Sequence, residues 1–292
     1  MRFSPESGLE IRRNERLAYH TSLRIGGRVD YFIRVYSKKG LRQVLMLVTN
    51  HRFKYLVIGA GTNLLFSDRG FRGVVIKLCG SFSVIQPRGD RFVCGAGVYL
   101  KTLVRKACDA RRSGVEFLVG IPGTVGGAVK GNAGAWGHAI GEITESVTVM
   151  RKNGRELILR PKDIGFKYRS SLISDRDAIM SVALRLRSGC KKMISKTMKE
   201  YMVQRDRRQP RGFSAGSFFK NEPGNPAGKL IEECGLKGAR IGHAMVSLKH
   251  GNFIMNCGDA TAADVLALVA KIRSAVYQKR RIRLQPEVRI VR

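Results

Sequence analysis

Two stretches of the sequence carry residues whose types and spacing could hold an anionic ligand. Val57-Ile58-Gly59-Ala60-Gly61-Thr62-Asn63 sets two glycines, a threonine and an asparagine behind a short apolar run. Glycine lets backbone N–H groups converge on an anion with no Cβ in the way, and hydroxyl and amide side chains add hydrogen bonds. Leu64 stands where a G-x-G-x-x-G loop has its third glycine, and no Gly-Lys-Ser/Thr follows, so neither familiar nucleotide loop is present. A tight strand exit and a phosphate cradle both fit these residues. The second stretch is Gly120-Ile121-Pro122-Gly123-Thr124-Val125-Gly126-Gly127-Ala128-Val129-Lys130-Gly131-Asn132-Ala133-Gly134. Each glycine costs conformational entropy on folding, so such a run belongs where the backbone approaches something closely. A flat, polyanionic cofactor requires that approach. A flexible linker would hold more Ser and less Ile, Val and Pro.

The elements that must position these loops are short. Leu41, Val44, Leu45 and Val48 form a helical face over 39–50, ahead of a strand at Tyr55–Ile58 and another at Gly73–Leu78. Strands are predicted at 83–86 and 91–95, then a helix with Leu100, Leu103, Val104, Ala107 and Cys108 on one stripe. From Gly120 to Gly141, eight of 22 residues are glycine, which predicts neither a regular helix nor a packed strand. Strands resume at 146–150, 156–160 and 178–186. Ten basic residues against two acidic ones between 185 and 211 suggest a connection between domains. A helix is expected at 226–234, opened by Asn225-Pro226 and closed by Gly235. Another starts at Thr261, whose Thr-x-x-Asp spacing to Asp264 suits an N-cap, and carries Val265, Leu268, Val269, Ile272 and Val276 inward. Short strands mixed with a few helices indicate α+β rather than regular βαβ alternation.

Composition bounds the partners. The chain has 292 residues, 43% hydrophobic and 26% charged, the balance of a folded globular protein. Lys and Arg number 54 against 22 Asp and Glu, a net charge of +32 that favours nucleic acid, anionic lipid or a phosphorylated small molecule. The best apolar run, Val265–Ala270, falls far short of the ~20 residues a membrane-spanning helix needs. Glu6 and Glu10 interrupt the first ten residues, which do not read as a secretory signal, so a cytoplasmic protein is expected. Six cysteines show no C-x-x-C pair and read as reduced thiols, mostly in the core. No His/Cys/Asp cluster has metal-ligand spacing, and no metal is expected.

The two glycine loops resemble the flavin-binding segments of vanillyl-alcohol-oxidase-like FAD proteins. Further motifs narrow the resemblance: Phe166-Lys167-Tyr168-Arg169-Ser170-Ser171, Ser214-Ala215-Gly216-Ser217-Phe218-Phe219-Lys220-Asn221 and Ala227-Gly228-Lys229-Leu230-Ile231-Glu232. Gly235-Leu236-Lys237-Gly238, Val246-Ser247-Leu248-Lys249-His250-Gly251-Asn252-Phe253-Ile254 and Leu284-Gln285-Pro286-Glu287-Val288 continue it. In order and spacing, from about His20 to the C-terminus, they resemble the UDP-N-acetylenolpyruvoylglucosamine reductase family.

That resemblance implies an α+β flavoenzyme. Two FAD-binding subdomains, 1–80 and 81–189, would precede a substrate-binding domain at 190–292 whose last strand returns to the active site. It implies NADPH-dependent reduction of the enolpyruvyl group of a UDP-sugar, UDP-N-acetylglucosamine-enolpyruvate, to UDP-N-acetylmuramate, the cell-wall precursor, by a monomer with no membrane or nucleic-acid partner. NADPH reduces FAD and leaves; hydride then passes to the terminal enol carbon, and a side chain protonates the carbon beside the carboxylate. The family's proton donor falls on Ser217, assisted by Arg169 and Glu287. Cofactor binding falls on Gly59, Ala60, Gly61, Thr62, Asn63, Gly120, Ile121, Pro122, Gly123, Thr124, Gly126, Gly127, Asn132, Ala133 and Gly134. Tyr168, Lys220, Asn221 and Arg289 are candidates for the substrate. The 48 residues from Arg169 to Ser217 leave little room for the long insertion with an aromatic lid found in one branch of the family.

Physical chemistry agrees with these roles. An enolate spreading charge onto a carboxylate is stabilised by a fixed cation, and Arg169 could grip it with two donors. A serine hydroxyl is a poor acid, so Ser217 needs nearby positive charge, for which Lys220 is three residues away. Glu287 is the sole acidic residue among the last 22, against eight basic ones. Arg205, Arg207, Arg208 and Arg211 read as a basic approach or as a solvated face. His250 reads as a ligand contact or a structural side chain, and Trp136 as a flavin cover or as core. Two rivals remain on sequence alone: a basic nucleic-acid-binding protein, motivated by charge only, and an FAD oxidoreductase with another substrate.

Overall fold

The computed structural model describes residues 8–292; the reading of the first residues as lacking a secretory signal falls mainly on positions outside that range. The chain divides into two units, each assembled from three segments. One takes the chain up to Arg13, Asp30–Ala60 and Gly73–Gln204; the other takes Asn14–Val29, Gly61–Arg72 and Arg205–Arg292.

The first unit holds most of one four-stranded sheet, a five-stranded sheet and two short two-stranded ones. In the four-stranded sheet, the strand order is Leu9–Arg16, Arg28–Val35, Phe71–Leu78 and Tyr55–Ile58, and the last two run parallel, with Tyr55 opposite Val74. The helix Lys38–Asn50 precedes Tyr55–Ile58 and starts at Ser37, whose hydroxyl accepts the Gly40 N–H at 3.0 Å, an N-cap of the expected type. Leu41, Val44, Leu45 and Val48 are fully buried along its inner face. The five-stranded sheet is antiparallel, in the order Glu156–Leu159, Thr144–Met150, Ala178–Arg185, Arg91–Gly95 and Ile85–Arg88. The strand predicted at 83–86 begins two residues later because Gly80–Ser83 close a 3-10 turn that draws Phe82 into the core. Leu103, Val104 and Ala107 of the helix Leu100–Asp109 share one apolar core with Val147, Val149, Val182 and Leu184 of this sheet.

The second unit has its own core. An antiparallel sheet runs in the order Phe213–Ser217, Phe253–Asn256, Ala244–Val246, Arg240–Ile241. Helices Ala227–Glu233 and Ala262–Arg280 pack Ile231, Val265, Leu268 and Ile272 into the same cluster. Thr261 caps the longer helix as its spacing predicts: Thr261 Oγ1 accepts Asp264 N–H at 3.0 Å, and Asp264 returns the bond to Thr261 N–H at 2.9 Å. Leu64–Phe66 pairs in parallel with Arg289–Val291.

Two expectations need correction, and a third takes a form that composition does not announce. The glycine-rich run contains a helix, Val125–Lys130, because Gly126 is where it presses on the sheet: a Cβ there would lie 2.7 Å from Ala96 Cβ. Residues 185–211 do hold the passage from one unit to the other, between Gln204 and Arg205, but mostly as a helix, Lys191–Arg208, with Ile194 its single buried residue. Its Lys, Arg, Glu and Gln side chains have good helix propensity, and its absent apolar stripe reflects exposure rather than disorder. Of the six free thiols only Cys94 and Cys108 are buried; Cys190 and Cys257 are exposed. Burial pushes the Cys94 thiol up to about 12. No helix among the described residues is long and apolar enough to cross a membrane.

Candidate active site

In the first unit the two glycine loops meet. A Cβ on Gly59 would sit 2.3 Å from Thr124 Oγ1, so the exit of the strand Tyr55–Ile58 can lie against Thr124 only as glycine. Thr124 caps the helix Val125–Lys130 through Gly127 N–H, and Val125 and Gly126 N–H donate to Val98 and Ala96 carbonyls at 2.8 and 2.9 Å. Gly123 accepts Leu100 N–H at 3.0 Å, and Ile121 donates to Leu118 at 3.1 Å. Gly127 and Gly131 differ from Gly126: a Cβ on either would find no neighbour nearer than 3.6 Å. Either could carry a Cβ at ordinary contact distance; Gly127 is exposed and Gly131 half-buried.

The same loop holds the segment with Tyr168 and Arg169. Asn132 uses both ends of its amide, donating to Lys167 carbonyl and accepting Gly141 N–H, each at 3.0 Å. Lys130 pairs with Asp175 at 2.9 Å and also donates to Ile173 carbonyl; Ser171 donates to Lys130 carbonyl at 2.9 Å. These braces surround a strained residue, since Arg169 has φ of +52°. A left-handed non-glycine costs about 1–3 kcal/mol and persists only where its surroundings fix it. The Arg169 guanidinium lies 5.2 Å from the Tyr168 ring centroid, a cation–π arrangement on an exposed tyrosine. Sequence reasoning does not find Lys130, Ser171 and Asp175 as site residues, because partners 41 or more positions apart leave no local pattern.

In the second unit, Gly61 has φ of +67° and lies so close to His20 that a Cβ would be 1.9 Å from its carbonyl oxygen. Thr62 and Asn63 follow. Asn63 donates its side-chain amide to Glu287 carbonyl at 3.1 Å and accepts Arg289 N–H at its own carbonyl at 3.1 Å. Ser217 ends the strand Phe213–Ser217, opposite Phe253, after an irregularity that Gly216 allows with φ of +75°. Phe218 and Phe219 are buried and anchor the chain on the C-terminal side of Ser217. Phe218 carbonyl accepts Glu287 N–H at 2.8 Å, and Lys220 N–H donates to Gln285 carbonyl at 2.9 Å. Ser217 and Lys220 therefore lie on one segment and Glu287 and Arg289 on its backbone-bonded neighbour. Asn221 spends its amide oxygen on Ala227 N–H at 3.0 Å, at the start of the helix Ala227–Glu233.

The remaining candidates have structural partners. Trp136 stacks on Tyr201 with 4.9 Å between centroids and 2° between planes. Partly buried His250 accepts Asn252 N–H at Nδ1, 3.1 Å, and burial holds its pKa below the ordinary histidine value. Arg205 donates to Gln209, Arg211 pairs with Asp206, and Arg207 and Arg208 are exposed. Among the described residues no group of three His, Cys, Asp or Glu side chains could hold a metal ion.

Comparison with known proteins covers both units. Residues 29–160 match the FAD binding domain model, and 209–291 match the C-terminal domain model of UDP-N-acetylenolpyruvoylglucosamine reductase. UDP-N-acetylenolpyruvoylglucosamine reductase 2 of Symbiobacterium thermophilum is 42% identical over 96% of this chain and 92% of its own length. The Clostridioides difficile reductase is 40% identical over 97% of this chain and 93% of its own length. The crystal structure of the Thermus caldophilus reductase superposes with a TM-score of 0.85 at 38% identity, covering 97% of this chain and 99% of that one.

Proposed function

The chain belongs to the UDP-N-acetylenolpyruvoylglucosamine reductase family, and from that premise we propose that it reduces UDP-N-acetylglucosamine-enolpyruvate to UDP-N-acetylmuramate with NADPH. Supporting this, Phe218 carbonyl accepts Glu287 N–H at 2.8 Å, which sets the Ser217 segment beside the one that carries Glu287, the only acidic residue among the last 22. We propose further that it works as a monomer in the cytoplasm, needing neither membrane nor nucleic acid. Residues 1–80 and 81–189 would serve FAD and 190–292 the substrate.

The glycine loops fit FAD. Gly59 and Thr124 press together too closely for any side chain, while Gly127 is exposed and, lacking a Cβ, lets a polyanion come close to its backbone. Residues 59–63, 120–124, 126, 127 and 132–134 would hold it. Held there, FAD would supply the two-electron chemistry that links NADPH to the terminal enol carbon. The protein's own groups handle the proton and the charge. Ser217 gives its hydroxyl proton to the carbon beside the carboxylate, and the Lys220 ammonium favours the negative oxygen left on the serine. Arg169 holds the carboxylate as negative charge moves onto it, and its left-handed backbone aims the guanidinium from a braced loop. Glu287 assists Ser217, and Tyr168, Lys220, Asn221 and Arg289 bind the remaining substrate groups.

Two outcomes test this. Without oxygen, NADPH beyond the single equivalent that reduces the flavin should be consumed only when the enolpyruvyl UDP-sugar is present, and mass spectrometry should find a product heavier by two hydrogens; continued anaerobic oxidation with no such product would refute it. Gly126→Val should press its side chain into Ala96, costing about 1–3 kcal/mol and displacing the cofactor loop. Its flavin-to-protein ratio should fall, whereas Gly127→Ala, whose Cβ meets nothing within 3.6 Å, should fold at full stability. Equal occupancy in Gly126→Val and the parent would remove this loop from the cofactor site.

A further inference from the structure

We propose that Asn252 is a positioning residue for Ser217, its buried amide clamping the peptide on the C-terminal side of the reactive hydroxyl. This rests on the reading of Ser217 as proton donor. Asn252 is 2% exposed, and its side chain forms a closed pair with one residue. Asn252 Oδ1 accepts Phe219 N–H and Nδ2 donates to Phe219 carbonyl, both at 2.8 Å. Its own carbonyl accepts Phe218 N–H, also at 2.8 Å. Three bonds therefore fix the two residues after Ser217.

They matter because the sheet holds Ser217 only at its last pair, opposite Phe253. The ladder between Phe213–Ser217 and Phe253–Asn256 is irregular between Ser214 and Ser217, where Gly216 turns left-handed. An unanchored strand end would let the hydroxyl drift, and small misplacements are expensive for a proton transfer that needs hydrogen-bond reach. The Asn252 amide imitates a strand partner just beyond Ser217, where the strand has ended.

The clamp is itself held from behind. Asn252 N–H donates to His250 Nδ1 at 3.1 Å, which requires that nitrogen to carry no proton. Gly251 N–H donates to Glu232 at 3.0 Å, and Glu232 also pairs with Lys237 at 3.1 Å. The loop cannot slide toward the helix Ala227–Glu233, since a Cβ on Gly228 would lie 2.7 Å from His250 and one on Gly251 2.7 Å from Gly228 carbonyl. Asparagine is specified chemically. Aspartate can accept Phe219 N–H but as a carboxylate has no proton for Phe219 carbonyl; alanine supplies neither.

The test uses FAD-loaded protein and follows flavin absorbance by stopped flow through both half-reactions. In Asn252→Asp, reduction by NADPH should be unchanged, while reoxidation by the enolpyruvyl UDP-sugar should slow by about tenfold to a hundredfold. That deficit should shrink as pH falls, because burial raises the carboxyl pKa and the protonated acid regains a donor for Phe219. Asn252→Ala should show the same selective slowing with no recovery in acid, and it carries the test if the aspartate variant does not fold. In a Ser217→Ala background, neither change should slow reoxidation further. Equal slowing of both half-reactions, or additive slowing in that background, would overturn the proposal and leave Asn252 a fold residue. If Ser217→Ala slows reoxidation and the Asn252 variants do not, only this proposal fails; if Ser217→Ala has no effect, the proton-donor reading fails and takes it along.

Discussion

Ser217→Ala is expected to separate the two half-reactions: flavin reduction by NADPH stays nearly intact, and reoxidation by the enolpyruvyl substrate slows by ~10²–10⁴-fold. Reduction by NADPH gives no proton to a substrate carbon, so the hydroxyl has no work there. In the second step the developing carbanion must be protonated on one side by a group held in place, and removing that group leaves only water. The backbone should not move, since Phe218 and Phe219 remain buried and bonded to Asn252 and Glu287. Cysteine at 217 should restore part of the rate, its thiol being more acidic than the hydroxyl. Equal slowing of both steps would make Ser217 a ligand-positioning or structural side chain.

The second large effect is expected at Arg169. Arg169→Lys should lower turnover by about a hundredfold, roughly 3 kcal/mol, the usual cost of losing one donor to a developing anion. The comparison isolates the head group. Lysine has the same Cβ, so the strain at φ +52° is common to both, and the braces from Lys130, Asn132 and Ser171 act on other residues. What changes is the planar fork, which grips a carboxylate with two parallel bonds and lies over the Tyr168 ring; an ammonium does neither as well. Steady-state turnover at matched flavin content measures it. Near-normal turnover in the lysine variant would mean that Arg169 serves its loop and not the substrate.

Much of the fold is legible where local chemistry decides it. Thr261 and Asp264 announce a helix start, and the cap has the predicted reciprocal bonds. Leu100, Leu103, Val104, Ala107 and Cys108 announce a helical stripe, and all five are buried. Legibility fails where tertiary packing sets the rule. Gly126 reads as a helix breaker, yet a short helix forms there because only glycine can approach Ala96. The helix Lys191–Arg208 is invisible to a search for apolar periodicity, since it buries little beyond Ile194. The basic stretch 185–211 does mark the passage between units at Gln204–Arg205, but the membership of Asn14–Val29 and Gly61–Arg72 in the second unit has no signature in composition. For the site, family motifs point to Ser217, Arg169 and Glu287, but the residues that hold them are hidden. Asn252 sits inside a family motif without announcing that its amide clamps Phe219, 33 positions away. Lys130 looks like one more residue of a glycine-rich run until its pairing with Asp175 gives it a place beside the Arg169 loop.

One anaerobic titration decides whether this chain carries out the proposed reduction. The purified yellow protein is bleached with a single equivalent of NADPH, and UDP-N-acetylglucosamine-enolpyruvate is then added while the visible flavin band is followed. The band should return in full, with one equivalent of UDP-N-acetylmuramate formed for each flavin. A protein that purifies colourless and takes up no FAD, or a bleached flavin that the enolpyruvyl UDP-sugar fails to reoxidise, would contradict the assignment.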